Sequence, residues 1–184
     1  MIIFKENDRF YFSIPMGPWT SDVDIDCEEN SPAWHINDQK GTIALVTQGM
    51  TRAGDVLRYS DLLNVEELNR NELLRVSCQI PNELANTNCI IEDGEIGVGI
   101  CIARDNEAYE ITKFGVVKSI GDVEVFNSNR SVSMVIWEAV KDTKNVEQRI
   151  KAFYKFLGDK NRRNYFPIML MNTKEEGHTL VENE

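Results

Sequence analysis

The sequence predicts an α+β protein, a four-layer α-β-β-α sandwich of two antiparallel sheets. Three observations lead to that class. The elements run strands, helices, strands, helices and a closing strand, rather than alternating strictly between strand and helix. Short polar turns join the strand-prone runs, which is how antiparallel hairpins connect. Two stretches carry apolar residues every three to four positions, so one helix pair is available to cover each sheet. No repeat of fixed period and no low-complexity linker interrupts the chain, so residues 1–173 read as one domain and 174–184 as a charged, flexible tail.

The opening "MIIFKENDRFYFSI" gives two β-prone runs joined at Glu6-Asn7-Asp8, and Pro15 to Pro18 then breaks regular structure. Residues 34–37 and 42–47 form a second strand pair across Asp38-Gln39-Lys40-Gly41. From residue 50 to about 84 the spacing is helical, carried by Val56, Leu57, Leu62, Leu63, Leu68, Leu73, Leu74 and Val76. Asn64, followed by Glu66 and Glu67, is the expected cap of the second helix, and Pro81 marks its end or a kink. "GEIGVGICIARDNEAYEITKFGVV" is a hairpin turning at Arg104 to Glu107, and residues 116–126 continue as strand. Helices over 131–140 and 146–157 and a strand over 164–171 complete the chain.

At 184 residues, 42% hydrophobic and 27% charged, the chain has the composition of a soluble globular protein. Its net charge of −10 argues against nucleic-acid and anionic-membrane partners, which basic patches hold. The one basic cluster, Lys160-Asn161-Arg162-Arg163, reads as a solvated loop. The start of the chain lacks the apolar run of a signal peptide, and no stretch approaches the roughly 18 apolar residues of a membrane helix, so a cytoplasmic location is expected. Cys27, Cys78, Cys89 and Cys101 show no C-x-x-C spacing, and with only His35 and His178 to join them no structural zinc site is expected. Cys101 reads as a small buried hydrophobe.

Several short patterns suggest chemistry. Gly94, Gly97 and Gly99 invite a phosphate-loop reading, but such glycines must lead into a helix, and these lead into a strand. Small residues there are expected to let another backbone pack closely, in a tightly stacked sheet. Asp22, Asp24, Asp26 and Glu28 alternate like the start of a calcium loop. Cys27 replaces the turn glycine and Ala33 stands where the bidentate glutamate belongs, so they remain weak metal candidates beside the reading as an acidic loop. His35 has no partner assignable by spacing. Gly41-Thr42 could be a self-cleavage junction exposing a threonine, against the plainer reading of a turn into a strand. No motif calls for a cofactor.

The element order, together with local patterns, resembles the proteasome-type N-terminal-nucleophile hydrolases. Gly49, Ala53, Gly54, Asp55 and Leu57 match the step from that family's fourth strand into its first helix. Asp105, Tyr109, Ile111 and Gly115 match its central hairpin, and Ile120-Gly121 the start of an Ile-Gly-Ser-Gly element before the third helix. The resemblance implies an N-terminal threonine nucleophile whose free amine acts as base, tuned by an aspartate ending the second strand and a lysine before the third. At those places this chain has Met1-Ile2, Pro15 or Met16, and no lysine between Lys5 and Lys40; Asp122-Val123 replaces Ser-Gly. Bulky Ile2 is also expected to keep the initiator methionine in place.

The resemblance therefore implies a scaffold or interaction subunit without threonine-protease activity, associating through helical faces into a homo-oligomer. Two other functions fit the sequence. One is a hydrolase matured by cleavage after Gly41, with Thr42 as nucleophile. The other is an acidic inhibitor or immunity-type protein that offers its negative surface to a basic partner.

Overall fold

A computed structural model describes residues 1–16, 31–36, 41–49, 51–87, 89, 95–126 and 129–183. Among these residues ten strands form two five-stranded sheets in which every neighbouring pair is antiparallel. The first sheet has the order β10-β9-β2-β1-β8, from β1 (Ile2–Glu6), β2 (Arg9–Pro15), β8 (Val123–Val125), β9 (Ile168–Asn172) and β10 (Thr179–Val181). The second has the order β3-β4-β5-β6-β7, from β3 (Ala33–His35), β4 (Thr42–Gly49), β5 (Val98–Arg104), β6 (Glu107–Ile111) and β7 (Val117–Ser119). Helices α1 (Thr51–Arg58) and α2 (Arg70–Asn86) cover the second sheet, and α3 (Arg130–Val140) and α4 (Val146–Asn161) cover the first.

Strand alternation explains why there are four layers. Successive side chains on a strand point to opposite faces, and here both faces are apolar. Ile3, Phe10, Phe12, Ile14, Met169 and Met171 point inward from the first sheet and meet Ile43, Leu45, Cys101 and Ala103 of the second. Their neighbours Ile2, Phe4, Ile168 and Leu170 point outward onto Trp137, Ile150, Phe153 and Leu157 of α3 and α4. On the other side Ala44, Ile100 and Ile102 meet Leu57, Leu73, Val76 and Ile80 of α1 and α2. The predicted four-layer α+β sandwich is the observed one.

Turn chemistry sets the strand register. Asn7 and Asp8 both adopt positive φ, 51° and 56°, as the two-residue turn between β1 and β2 requires. In β4 the register shifts between Val46 and Gln48, leaving Thr47 bulged opposite Gly99 of β5. A Cβ on Gly99 would lie 2.8 Å from Thr47 Oγ1, so glycine is what admits the bulge. The close approach expected at this glycine therefore exists, but it comes from the adjacent strand and not from the stacked sheet.

Four expectations need correction. Asn64 follows the short 3₁₀ turn Asp61–Leu63, and the cap of α2 is Asn69, whose side chain accepts from the amides of Asn71 and Glu72. Pro81, by contrast, falls five residues before α2 ends at Asn86, within what the sequence leads one to expect. Residues 116–126 are not one strand: Gly121-Asp122 turns the chain, so that β7 and β8 belong to different sheets. The frayed tail expected over 174–184 instead supplies β10, which pairs with β9 through Leu180↔Met169. The last strand on the sheet side also starts later than read, at Ile168, after the cis Phe166–Pro167 bond.

Polar groups inside the sandwich are tied in pairs. Thr173 accepts from the Phe10 amide at 3.1 Å and donates to the Asp105 carbonyl at 2.7 Å, linking the two sheets. The buried Tyr154 hydroxyl donates to the Ser13 carbonyl at 2.9 Å, binding α4 to β2. Burial pushes the Tyr154 phenol above its ordinary range. The unfolded phenol ionises near pH 10 while the folded one stays protonated, so stability falls as pH rises beyond about 10. Urea titrations between pH 8 and 11 should show this slope, and Tyr154→Phe should remove it while costing about 1–2 kcal/mol at neutral pH.

Candidate functional site

The C-terminal end of β4, the following helix α1 and the start of β1 enclose a cavity of about 180 Å³. Met1, Trp34, Val46 and the Thr47-Gln48-Gly49 segment line it, with Gly54, Asp55 and Arg58 from α1. The sequence builds this wall in a definite way. A Cβ on Gly54 would sit 2.6 Å from Val46 Cγ2, so the missing side chain lets α1 lie directly on β4. Ala53 and Leu57 are buried beneath it. The Arg58 guanidinium donates to the Ser31 carbonyl and, at 3.4 Å, to the Ala33 carbonyl, and it stacks 5.1 Å from the Trp34 ring centre. That fixes α1 against β3 and gives the cavity one cationic and one aromatic wall.

The positions where the sequence resemblance implies catalytic groups are apolar and packed. Met1 lines the cavity and rests on the inter-sheet core, and its ammonium lies 3.4 Å from the Phe126 carbonyl. Burial lowers the pKa of that ammonium to about 6. Ile2 is buried on the opposite face of β1. Met16 is buried among Ile14, Phe12 and Ala33, and its amide donates to the Pro167 carbonyl at 2.8 Å.

Thr42 stands at the other end of β4, seven residues and roughly 23 Å from Gly49 at the usual strand rise. It is fully buried, and its Oγ1 accepts a 2.7 Å hydrogen bond from Arg104 Nε. Asp22, Asp24, Asp26 and Glu28 lie outside the described residues. Among the described residues no three His, Cys, Asp or Glu side chains are grouped to hold a metal ion. His35 Nε2 lies 3.2 Å from the Gly177 carbonyl, a contact that ties β3 to the segment before β10. Cys101 is buried between the sheets, with its thiol pushed well up, first by burial and then by Glu110 and Glu124. Gly97 and Gly99 do enter a strand, β5, as the sequence indicates.

The stack of Arg58 on Trp34 leaves almost no trace in the sequence. Their pairing joins residues 24 positions apart on different elements, and only the first-helix Arg in the "RAGDVLR" stretch hints at it. Ile120-Gly121 lies between β7 and β8, nine residues before α3 begins at Arg130.

Comparison with solved structures places the fold. BPH of Thiobacillus denitrificans, in complex with epoxomicin, aligns over 93% of this chain and 96% of its own, with a TM-score of 0.67 and 8% identity. Eukaryotic HslV from Trypanosoma brucei aligns over 93% and 97%, at a TM-score of 0.60 and 12% identity. Anbu, an ancestral beta-subunit from Yersinia bercovieri, aligns over 100% and 87%, at 0.60 and 10%. No family model matches the chain, and no curated protein matches it in sequence. At these identities the likeness is one of fold: this chain has the architecture of the proteasome-subunit-like proteins, two stacked antiparallel sheets between helix pairs.

Proposed function

We propose that this protein is a proteasome-like subunit without threonine-protease activity, acting as a scaffold or interaction partner in a cytoplasmic homo-oligomer. The observation that carries the reading is the cavity at the start of β1. Met1 lines it, Ile2 is packed in the helix-side core and Met16 in the inter-sheet core, so thioethers and a hydrocarbon stand where the resemblance implies a hydroxyl and a carboxylate. None of these side chains can deliver a nucleophile or hold a proton for one.

Assembly finds support on the opposite layer. Val135 of α3 and Phe156 of α4 are 71% and 56% exposed, and with Val132, Ile136 and Ala139 they border an apolar groove of about 510 Å³. Large apolar side chains grouped on one face commonly mark an association surface. The maturation alternative meets an obstacle in the fold. Cleavage after Gly41 would sever β1, β2 and β3 from the chain, two of them in the middle of the first sheet, to free a buried Thr42.

Native mass spectrometry of the purified chain, before and after incubation with epoxomicin, tests the proposal. The expected result is an intact, unmodified chain in a defined multimer. Glu in place of both Val135 and Phe156 should reduce it to folded monomers, weakening association at least tenfold, which is about 1.4 kcal/mol or more. An epoxomicin adduct would overturn the inactive reading, and a fragment beginning at Thr42 would support the hydrolase. An intact monomer whose binding to a basic protein weakens with salt would favour the acidic inhibitor.

A further inference from the structure

At the open edge of the sandwich, where β7 and β8 end their respective sheets, the apolar inter-sheet core gives way to charge. Glu110 of β6 pairs with Cys101 of β5 and Lys118 of β7, and so shares their inward face. Glu124 of β8 pairs with Ile3 of β1, and so points inward from the other sheet. Between them lies a cavity of about 600 Å³ whose apolar lining is Ile120 and Phe126 of the inter-sheet core. Lys118 and Arg130 stand at its rim, with side chains 59% and 61% exposed.

The two carboxylates are not equally served. Glu124 is paired with Arg130 at 2.8 Å, and burial ahead of its other causes raises its pKa. Glu110 is only 8% exposed, yet its nearest cation, Lys118 Nζ, is 3.7 Å away, beyond hydrogen-bonding range. No hydrogen-bond donor among the described residues reaches its carboxylate. Thr47, at the inner end of the same cavity, has a buried hydroxyl that also lacks a partner among the described residues. A carboxylate this little exposed normally accepts several hydrogen bonds, and Glu110 has only the long ion pair with Lys118.

We propose that this cavity binds a primary alkylammonium group, with Glu110 as its main anchor and Glu124 as the second. An ammonium brings positive charge and three N–H donors to two carboxylates on facing sheets. The aliphatic stem behind it would lie along Ile120 and Phe126. Lys118 is the competing cation at the rim, held loosely enough to be displaced. The chemistry is shared by a free diamine and by a lysine side chain of another protein, and the two sources are separable by probe.

Titration calorimetry on the whole chain with cadaverine and with Nα-acetyl-lysinamide tests the site, with tetramethylammonium as a cation without N–H donors. Saturable binding of at least one primary amine is expected, with tetramethylammonium at least tenfold weaker. Binding of cadaverine alone assigns the site to free polyamine-like ligands, and binding of the lysine amide assigns it to a protein side chain. Glu110→Gln should weaken the amine at least tenfold and Glu124→Gln severalfold. Lys118→Met, at an exposed position that folding should tolerate, should tighten it severalfold by removing the competitor. Equal binding of tetramethylammonium, unchanged affinity in both Glu110→Gln and Lys118→Met, or no saturable binding by either amine would overturn the assignment.

Discussion

Replacing Arg149 with methionine should destabilise the protein by about 3–5 kcal/mol, the range for breaking a buried ion pair from one side. Arg149 rises from α4 and is 6% exposed. Its guanidinium makes a two-pronged pair with Glu6 at the end of β1, and Nε and Nη2 donate to the Thr143 carbonyl at 2.9 and 2.6 Å. Its flat face lies 5.8 Å from the Phe4 ring centre and 5.9 Å from that of Trp137. The one side chain therefore joins a strand of the first sheet, the α3–α4 connection and the aromatic cluster beneath both helices. Methionine keeps much of the volume but leaves the Glu6 carboxylate and the Thr143 carbonyl without their donors. Lysine should recover only part of the loss, since a single ammonium cannot reproduce the forked geometry. Urea unfolding of the three proteins at neutral pH would read this directly, and a methionine variant as stable as the parent would refute it. A loss of this size is a large fraction of the whole stability of an ordinary domain.

Much of the fold was legible because strand alternation and turn chemistry are local. "MIIFKENDRFYFSI" contains its own hairpin, down to the Asn7-Asp8 pair whose positive φ values the turn demands. The helical spacing of Val146, Ile150, Phe153 and Leu157 likewise marks the buried face of α4. What stayed hidden depends on distant partners. Nothing in 116–126 tells that Val117 pairs with Ile111 while Val125 pairs with Ile2, and so the sequence there looks like one continuous strand despite the break between β7 and β8. Asn64 and Asn69 have equally good capping chemistry, and the choice between them falls to the 3₁₀ turn that Leu63 buries. The charged 174–184 segment looked unattached because its anchors, the Leu170↔Thr179 pairing and the Lys174–Asp105 ion pair, lie elsewhere in the chain. The candidate sites suffered most. Arg58 on Trp34 and Glu110 facing Glu124 arise where separate elements meet, and neither spacing nor residue type announces them.

Truncating Phe4 to alanine should cost about 3–5 kcal/mol, since a fully buried ring loses both its transfer free energy and the packing around the cavity it leaves. Phe4 is 1% exposed on the outward face of β1. It stacks on Tyr11 at 5.2 Å and packs against Trp137 at 4.7 Å, which in turn meets Phe153 edge-on at 6.1 Å. The ring is the part of the first sheet that both α3 and α4 rest upon through this chain. It is also the surface over which the Arg149 guanidinium lies, so the two residues share one contact network. The combined Phe4→Ala, Arg149→Met protein should accordingly lose less than the sum of the single losses, by about 0.5–3 kcal/mol. Strict additivity in a double-mutant cycle would mean that the ring and the guanidinium act independently. In that case the ion pair with Glu6, and not the aromatic stack, would be what fastens α4 to β1.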